Sequence, residues 1–165
     1  TIQSSLTAQQ DARNVLRQLA TELRTSSPSS VGAYQIAEAG NTRLRFYSDI
    51  DSDGLKEEVI YYLSPDGKTL YKDVRSPSGG GGPLSYTASF KTSTIVRDIA
   101  NGATPIFQYY DTNYDGATLP LNQPVNMPDI RLIKVTIIIE RDINRSPNPI
   151  VVTTQVSLRI LKDNL

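Results

Sequence analysis

The 165-residue chain has no cysteine and no histidine. Without cysteine there is no disulfide, no thiolate nucleophile and no Cys-bound zinc. Without histidine most hydrolase triads, most transition-metal sites and the usual general base near neutral pH are lost. Catalysis would have to run through carboxylates, Tyr or Lys, and no catalytic residue is assigned. An excess of charge of one sign is also missing. Lys plus Arg and Asp plus Glu number 17 each, a formal net charge of zero, so the basic surplus of a phosphate-tracking nucleic-acid binder is absent. Long apolar runs are missing too: none approaches the ~18 residues that span a bilayer.

What is present begins with a helical pattern from about Gln3 to Arg24. At about 100° per residue, Ala12, Val15, Leu16, Leu19, Ala20 and Leu23 fall in one arc, the stripe of a helix that packs on a core. Carried backwards, that arc meets Ser5 and Gln9, with Ile2 and Leu6 at its edge. The second half of the helix is therefore expected to pack on the domain and the first half to protrude, presenting Ile2, Leu6 and Gln9 to a partner. Arg24 suits the negative C-terminal pole, and Pro28 pushes Ser27 out of helical geometry. The chain begins inside this pattern, at Thr1, without Met or cap, and the expectation is that something before it was removed.

After the helix, alternating runs predict strands. They are a weak one over Val31 to Glu38, a hairpin of Arg43–Ile50 and Glu57–Leu63, and a third strand over Thr69–Val74. Ser76 to Pro83, with four consecutive Gly, is expected to be a flexible loop dividing the sheet into two halves. Leu84–Phe90 reads as a strand, Ile95–Ile99 as one or two helical turns, and Ile106–Tyr110 as a strand. Ala117 to Asp129 reads as a long ordered loop. Ile130–Asp142 and Ile150–Leu161 form the last hairpin across a turn at Asn144–Pro149. Ile133, Val135, Ile137 and Ile139 lie on one face of it, and Val152, Val156, Leu158 and Ile160 match them. Such alternation predicts antiparallel sheet with one covered face. In Tyr61-Tyr62 and Tyr109-Tyr110 one ring of each pair is expected inside and one outside.

Two turns carry metal-type patterns. Asp49-x-Asp51-x-Asp53-Gly54 has the first half of a calcium loop, since alternate carboxylates of a tight turn can converge on a hard cation. The bidentate Glu is missing at loop position 12, which is Ile60; Glu57 or Glu58 could substitute with other geometry. Asp111-x-Asn113-x-Asp115-Gly116 repeats the pattern more weakly. Asp-rich turns also arise because Asp caps its own backbone. A row of Arg43, Arg45 and Tyr47 is explained by cross-strand pairing with Glu58 as well as by nucleic acid.

The order of certain pieces is informative. Leu16 to Arg24 reads Leu-Arg-Gln-Leu-Ala-Thr-Glu-Leu-Arg, and the hairpin from Leu44 to Leu63 carries Phe-Tyr-Ser-Asp-Ile-Asp-Ser-Asp-Gly within it. Thr69-Leu70-Tyr71-Lys72, Phe107-Gln108-Tyr109-Tyr110-Asp111 and Thr154-Gln155-Val156-Ser157-Leu158-Arg159 follow in turn. In this order the chain resembles the soluble part of a bacterial type IV pilin-like protein, of the minor pilin or J-type minor pseudopilin kind. The resemblance implies an α+β, pilin-like fold: one long N-terminal helix (1–28) packed on an antiparallel β-sheet, whole or in two half-sheets, within a β-rich head (29–165). It implies a prepilin, cleaved and methylated, whose preceding apolar half-helix anchors it in the inner membrane. The exported head then joins a cell-surface or periplasmic filament by packing on other pilins or pseudopilins. The alternative is a secreted β-rich module that recognises carbohydrate or protein.

Overall fold

A computed structural model describes residues 2–32, 34–140 and 149–158. One helix, α1 (Ile2–Arg24), opens the chain. Five strands follow, β1 (Ile36–Ala39), β2 (Arg43–Ser48), β3 (Glu57–Leu63), β4 (Leu70–Arg75) and β5 (Lys91–Val96), and they form one antiparallel sheet in sequence order. β6 (Phe107–Tyr110), β7 (Leu132–Ile139) and β8 (Ile150–Ser157) form a second antiparallel sheet, also in sequence order. Such an order needs only hairpin-type links and no crossover.

This overturns the expected α+β, pilin-like architecture of a long helix on a sheet. Among the described residues a single α-helix of 23 residues stands against eight strands in two sheets, and the fold is mostly β. The physical reason lies in what α1 touches. It runs chiefly along β8 and also meets β2, β5 and β7, so its stripe closes a core shared by two sheets. Ala12, Leu16, Leu19, Ala20 and Leu23 join Leu44, Phe46, Val59, Tyr61, Ile133, Val135 and Ile137 in that core. Each large side chain so buried stabilises by about 2 kcal/mol.

Backbone and amide hydrogen bonds hold the sheets together. The Asn41 carbonyl accepts from the N–H groups of Ile106 and Phe107, both at 3.0 Å. The Tyr109 hydroxyl donates to Gly40 O at 2.8 Å. Buried Asn101 donates to Thr104 O at 3.2 Å and Thr136 O at 2.9 Å, and accepts from Ile138 N–H at 2.8 Å.

Several local expectations change. Leu84–Phe90 is not a strand. The fifth strand is Lys91–Val96, taking in Ile95 and Val96, where helical turns were expected. It is an edge strand whose first four residues are exposed, so it carries little apolar alternation. The glycine run does not divide the sheet, because β5 pairs with β4 across it; the division falls between β5 and β6. Within the run's flanks Ser78 and Ser85 exchange two backbone hydrogen bonds of 2.8 Å. The first sheet is covered on both faces around β3, where Glu57, Glu58, Val59, Ile60 and Tyr61 are all buried. The segment after β4 folds back over it: Tyr86 packs on Tyr47 with ring centres 5.2 Å apart and donates to Lys56 O at 2.6 Å. Phe90 lies beneath the Arg75 guanidinium, 4.2 Å from ring centre to Cζ. Of the first Tyr pair Tyr61 is inside and Tyr62 half-buried, but in the second both Tyr109 and Tyr110 are buried, against the expectation of one ring outside, Tyr110 being shielded by Tyr114 at 4.5 Å between rings.

In the last hairpin the burial alternates through Ile133, Val135, Ile137 and Ile139, and Val152, Val156 and Leu158 are buried opposite. The expected turn at Asn144–Pro149, up to Asn148, and Ile160 lie outside the described residues.

Candidate functional site

The tip of the β2–β3 hairpin is shaped by its own acidic side chains. Asp49 accepts from the N–H groups of Asp53 at 3.1 Å and Gly54 at 2.9 Å. Asp51 accepts from Asp53 N–H at 3.2 Å, and Asp53 from Leu55 N–H at 2.7 Å. Gly54 sits at φ 89° and Ser52 at φ 63°, the left-handed geometry through which the turn closes and for which Gly is suited. These bonds point the Asp49 and Asp51 carboxylates back toward the first residue of β3, Glu57. Carboxylate oxygens of Asp49, Asp51 and Glu57 lie within 4.8 Å of one another. Asp53 is not part of this cluster; its carboxylate is committed to the turn.

Glu57 is the unusual member. It is 1% exposed. Its Oε2 accepts from Ile50 N–H at 2.9 Å, while its Oε1 is buried without a hydrogen-bond partner. Burial pushes its carboxyl above the ordinary range, the Ile50 N–H pulls it down, and the charges of Asp51 and Asp53 push it up.

The second acidic turn is arranged differently. Asp111 accepts from Asn113 N–H at 2.9 Å, and Asp115 accepts from the N–H groups of Ala117 at 2.8 Å and Thr118 at 2.9 Å. Those amides hold the Asp115 carboxyl below the ordinary range. Asp111 and Asp115 thus cap their own backbone, Asn113 entering only through its N–H, and the metal-type cluster among the described residues is the one at Asp49, Asp51 and Glu57.

The helix contributes a different kind of surface. Leu6 is 59% exposed and Gln9 is partly buried. The side chain of Ile2 lies outside what is described. Ala8 is buried, so the packed stripe starts one turn before Ala12, and the projecting part is shorter than the alternation of apolar and polar residues suggests.

Between α1 and the hairpin tip runs a groove of roughly 600 Å³, walled by Asn14, Arg17 and Gln18 on one side and Asp49, Ile50 and Ser52 on the other. Glu22 and Lys72 also line it. Both are 6% exposed and form an ion pair, and the Tyr61 hydroxyl donates to Glu22 Oε2 at 2.5 Å. The Tyr61 hydroxyl is pushed well above its ordinary range by burial and by the Glu22 charge. This network is not legible in local sequence patterns. A buried Glu at helix position 22 and a Lys in a strand 50 residues later share no local spacing; the one available hint was Glu22 falling beside the apolar arc. Arg45 and Arg75 are likewise taken up by buried Glu58, at 3.5 and 2.5 Å, and Arg43 pairs with Glu38 at 2.9 Å.

No protein-family model, no curated protein and no solved structure matches the chain. Among the described residues no helix is long and apolar enough to cross a membrane.

Proposed function

We propose that this chain is the exported part of a structural filament subunit, of the minor pilin or pseudopilin type, that takes part in a type IV pilus or a type II secretion pseudopilus. It works by packing the outer turns of α1 against sister subunits, with sheet-side contacts adding to the grip, and not by catalysis. The observation that carries the reading is the contrast along α1. Leu6 is 59% exposed, while Leu19 and Leu23 on the same helix are 0% exposed. An apolar side chain held out on the first turns of a helix gains hydrophobic stabilisation only when a neighbour covers it. The order of short motifs supports the same reading, and the lack of His and Cys removes the commonest catalytic groups.

The test uses the absence of native cysteine. Leu6→Cys, placed in the full-length gene, is expected to give a cross-linked species with a sister subunit when cells are treated with a thiol cross-linker. Absence of any such species, together with unchanged filament assembly, secretion and DNA uptake on deletion of the gene, overturns the proposal.

One observation favours a second reading, a secreted binding module for carbohydrate or protein: the groove between α1 and the hairpin tip, lined by Arg17 and Asp49. The two readings differ in what lies upstream of Thr1. About 20 apolar residues behind a basic leader support the filament subunit; a plain cleavable signal peptide supports the binding module.

A further inference from the structure

Three carboxylates, from Asp49, Asp51 and Glu57, converge at the hairpin tip. Acidic tips are common on solvated turns, and convergence alone would say little. Glu57 is what distinguishes this one. Its side chain is buried and one of its two oxygens has no partner. A buried anionic oxygen without a hydrogen bond costs more than most proteins leave uncompensated. No ion pair among the described residues reaches any of the three; the Lys and Arg side chains that form ion pairs are committed to Glu22, Glu38 and Glu58. The site therefore holds concentrated negative charge, an oxygen with unused lone pairs, and a turn rigidified by its own amides.

We propose that the β2–β3 hairpin binds a calcium ion through the carboxylates of Asp49, Asp51 and Glu57. The donor set is all oxygen, which suits a hard cation and not zinc or copper. Ca²⁺ takes its oxygen ligands at about 2.4 Å in an adaptable shell, whereas Mg²⁺ at about 2.1 Å demands strict octahedral order, which a turn offering a few carboxylates does not impose. Carboxylate oxygens of the three residues lie within 4.8 Å of one another, close enough to share one ion. Water and turn carbonyls complete the shell, as is usual when a loop supplies few carboxylates. The expected affinity is that of exported modules, a Kd of about 10⁻⁴ to 10⁻³ M.

Calorimetry and thermal melting of the purified chain, stripped with EDTA and returned to CaCl2, test this. The parent is expected to bind one Ca²⁺ and to melt several degrees higher at saturating metal. MgCl2 at the same concentration is expected to give less than about a third of that shift. Glu57→Gln keeps the shape of the side chain and removes its charge. Asp51→Asn does the same on the exposed tip, where folding is not at stake. Both are expected to weaken Ca²⁺ at least about tenfold, and Glu57→Gln in EDTA to melt no lower than the parent. No heat and no shift for the parent overturns the proposal. So does an equal shift with Mg²⁺, or a Ca²⁺ shift that survives unchanged in Asp51→Asn. None of these outcomes bears on cross-linking through Leu6, so the two proposals stand or fall separately.

Discussion

The Tyr61 hydroxyl in β3 donates to Glu22 Oε2 at 2.5 Å across the boundary between sheet and helix. Lys72 in β4 holds the other oxygen of the same carboxylate and lies 5.3 Å from the Tyr61 ring centre. The backbone of Glu22 is held as well: its carbonyl accepts from the Ser48 hydroxyl of β2 at 2.8 Å. One residue of α1 is thereby fixed to three strands of the larger sheet.

Removing that carboxylate strands a buried ammonium. Glu22→Leu is expected to cost about 3–5 kcal/mol in urea unfolding, and the double change Glu22→Leu with Lys72→Met to recover much of it, because a buried pair is expensive to break and cheap to replace. A double mutant no more stable than Glu22→Leu would show that the pair holds the fold in some other way.

Asn101 satisfies three backbone groups at once, from Thr104, Thr136 and Ile138. Asn101→Ala leaves them unmet, those of Thr136 and Ile138 in a half-buried setting. The expected loss is about 2 kcal/mol, read from the midpoint of denaturant unfolding with an unchanged slope.

The two ends of α1 should respond oppositely. Leu19→Ala, at a fully buried position, is expected to cost about 3 kcal/mol. Leu6→Ser, at a position 59% exposed, is expected to stay within about 0.5 kcal/mol of the parent while impairing incorporation into a filament. Melting curves and an assembly assay on the same two variants check both halves.

Acid should loosen the second acidic turn. The amides of Ala117 and Thr118 hold the Asp115 carboxyl below its ordinary value of 3.8, so the ionised form is favoured in the folded state. Its contribution is present above 3.8 and lost as pH falls through the lower folded value. Asp115→Ala is expected to destabilise at pH 7 and to lose that difference once the pH has fallen well below 3.8, past the lowered folded value. A deficit of equal size at both pH values would sink the assignment.

Much of the strand pattern is visible in the residues themselves. Ile133, Val135, Ile137 and Ile139 alternate strictly because β7 is central in its sheet and has one face on the core. β5 is hidden for the opposite reason. Lys91, Thr92, Ser93 and Thr94 lie exposed on an edge strand, where backbone pairing needs no apolar alternation. The burial of Glu58 is equally invisible locally, since Tyr86 packs on Tyr47 and Phe90 lies beneath Arg75 on that outer face, both arriving some 30 residues later. The spacing of Asp49 and Asp51 marks the hairpin tip as acidic; only the fold reveals that Glu57 leaves an oxygen unmet. The balance of helix and sheet was misjudged because a 3.6-residue period stands out in a window, whereas short strands disclose their number only when paired.

The fastening of α1 at its last turns, through Glu22 and through Thr25, whose hydroxyl is 2.9 Å from that of Ser48, has a mechanical consequence. Tension applied at the first turns of the helix is carried lengthwise down it, and the bonds at its last turns are loaded together in shear instead of being peeled one by one. A domain built this way resists pulling most strongly along the axis of α1.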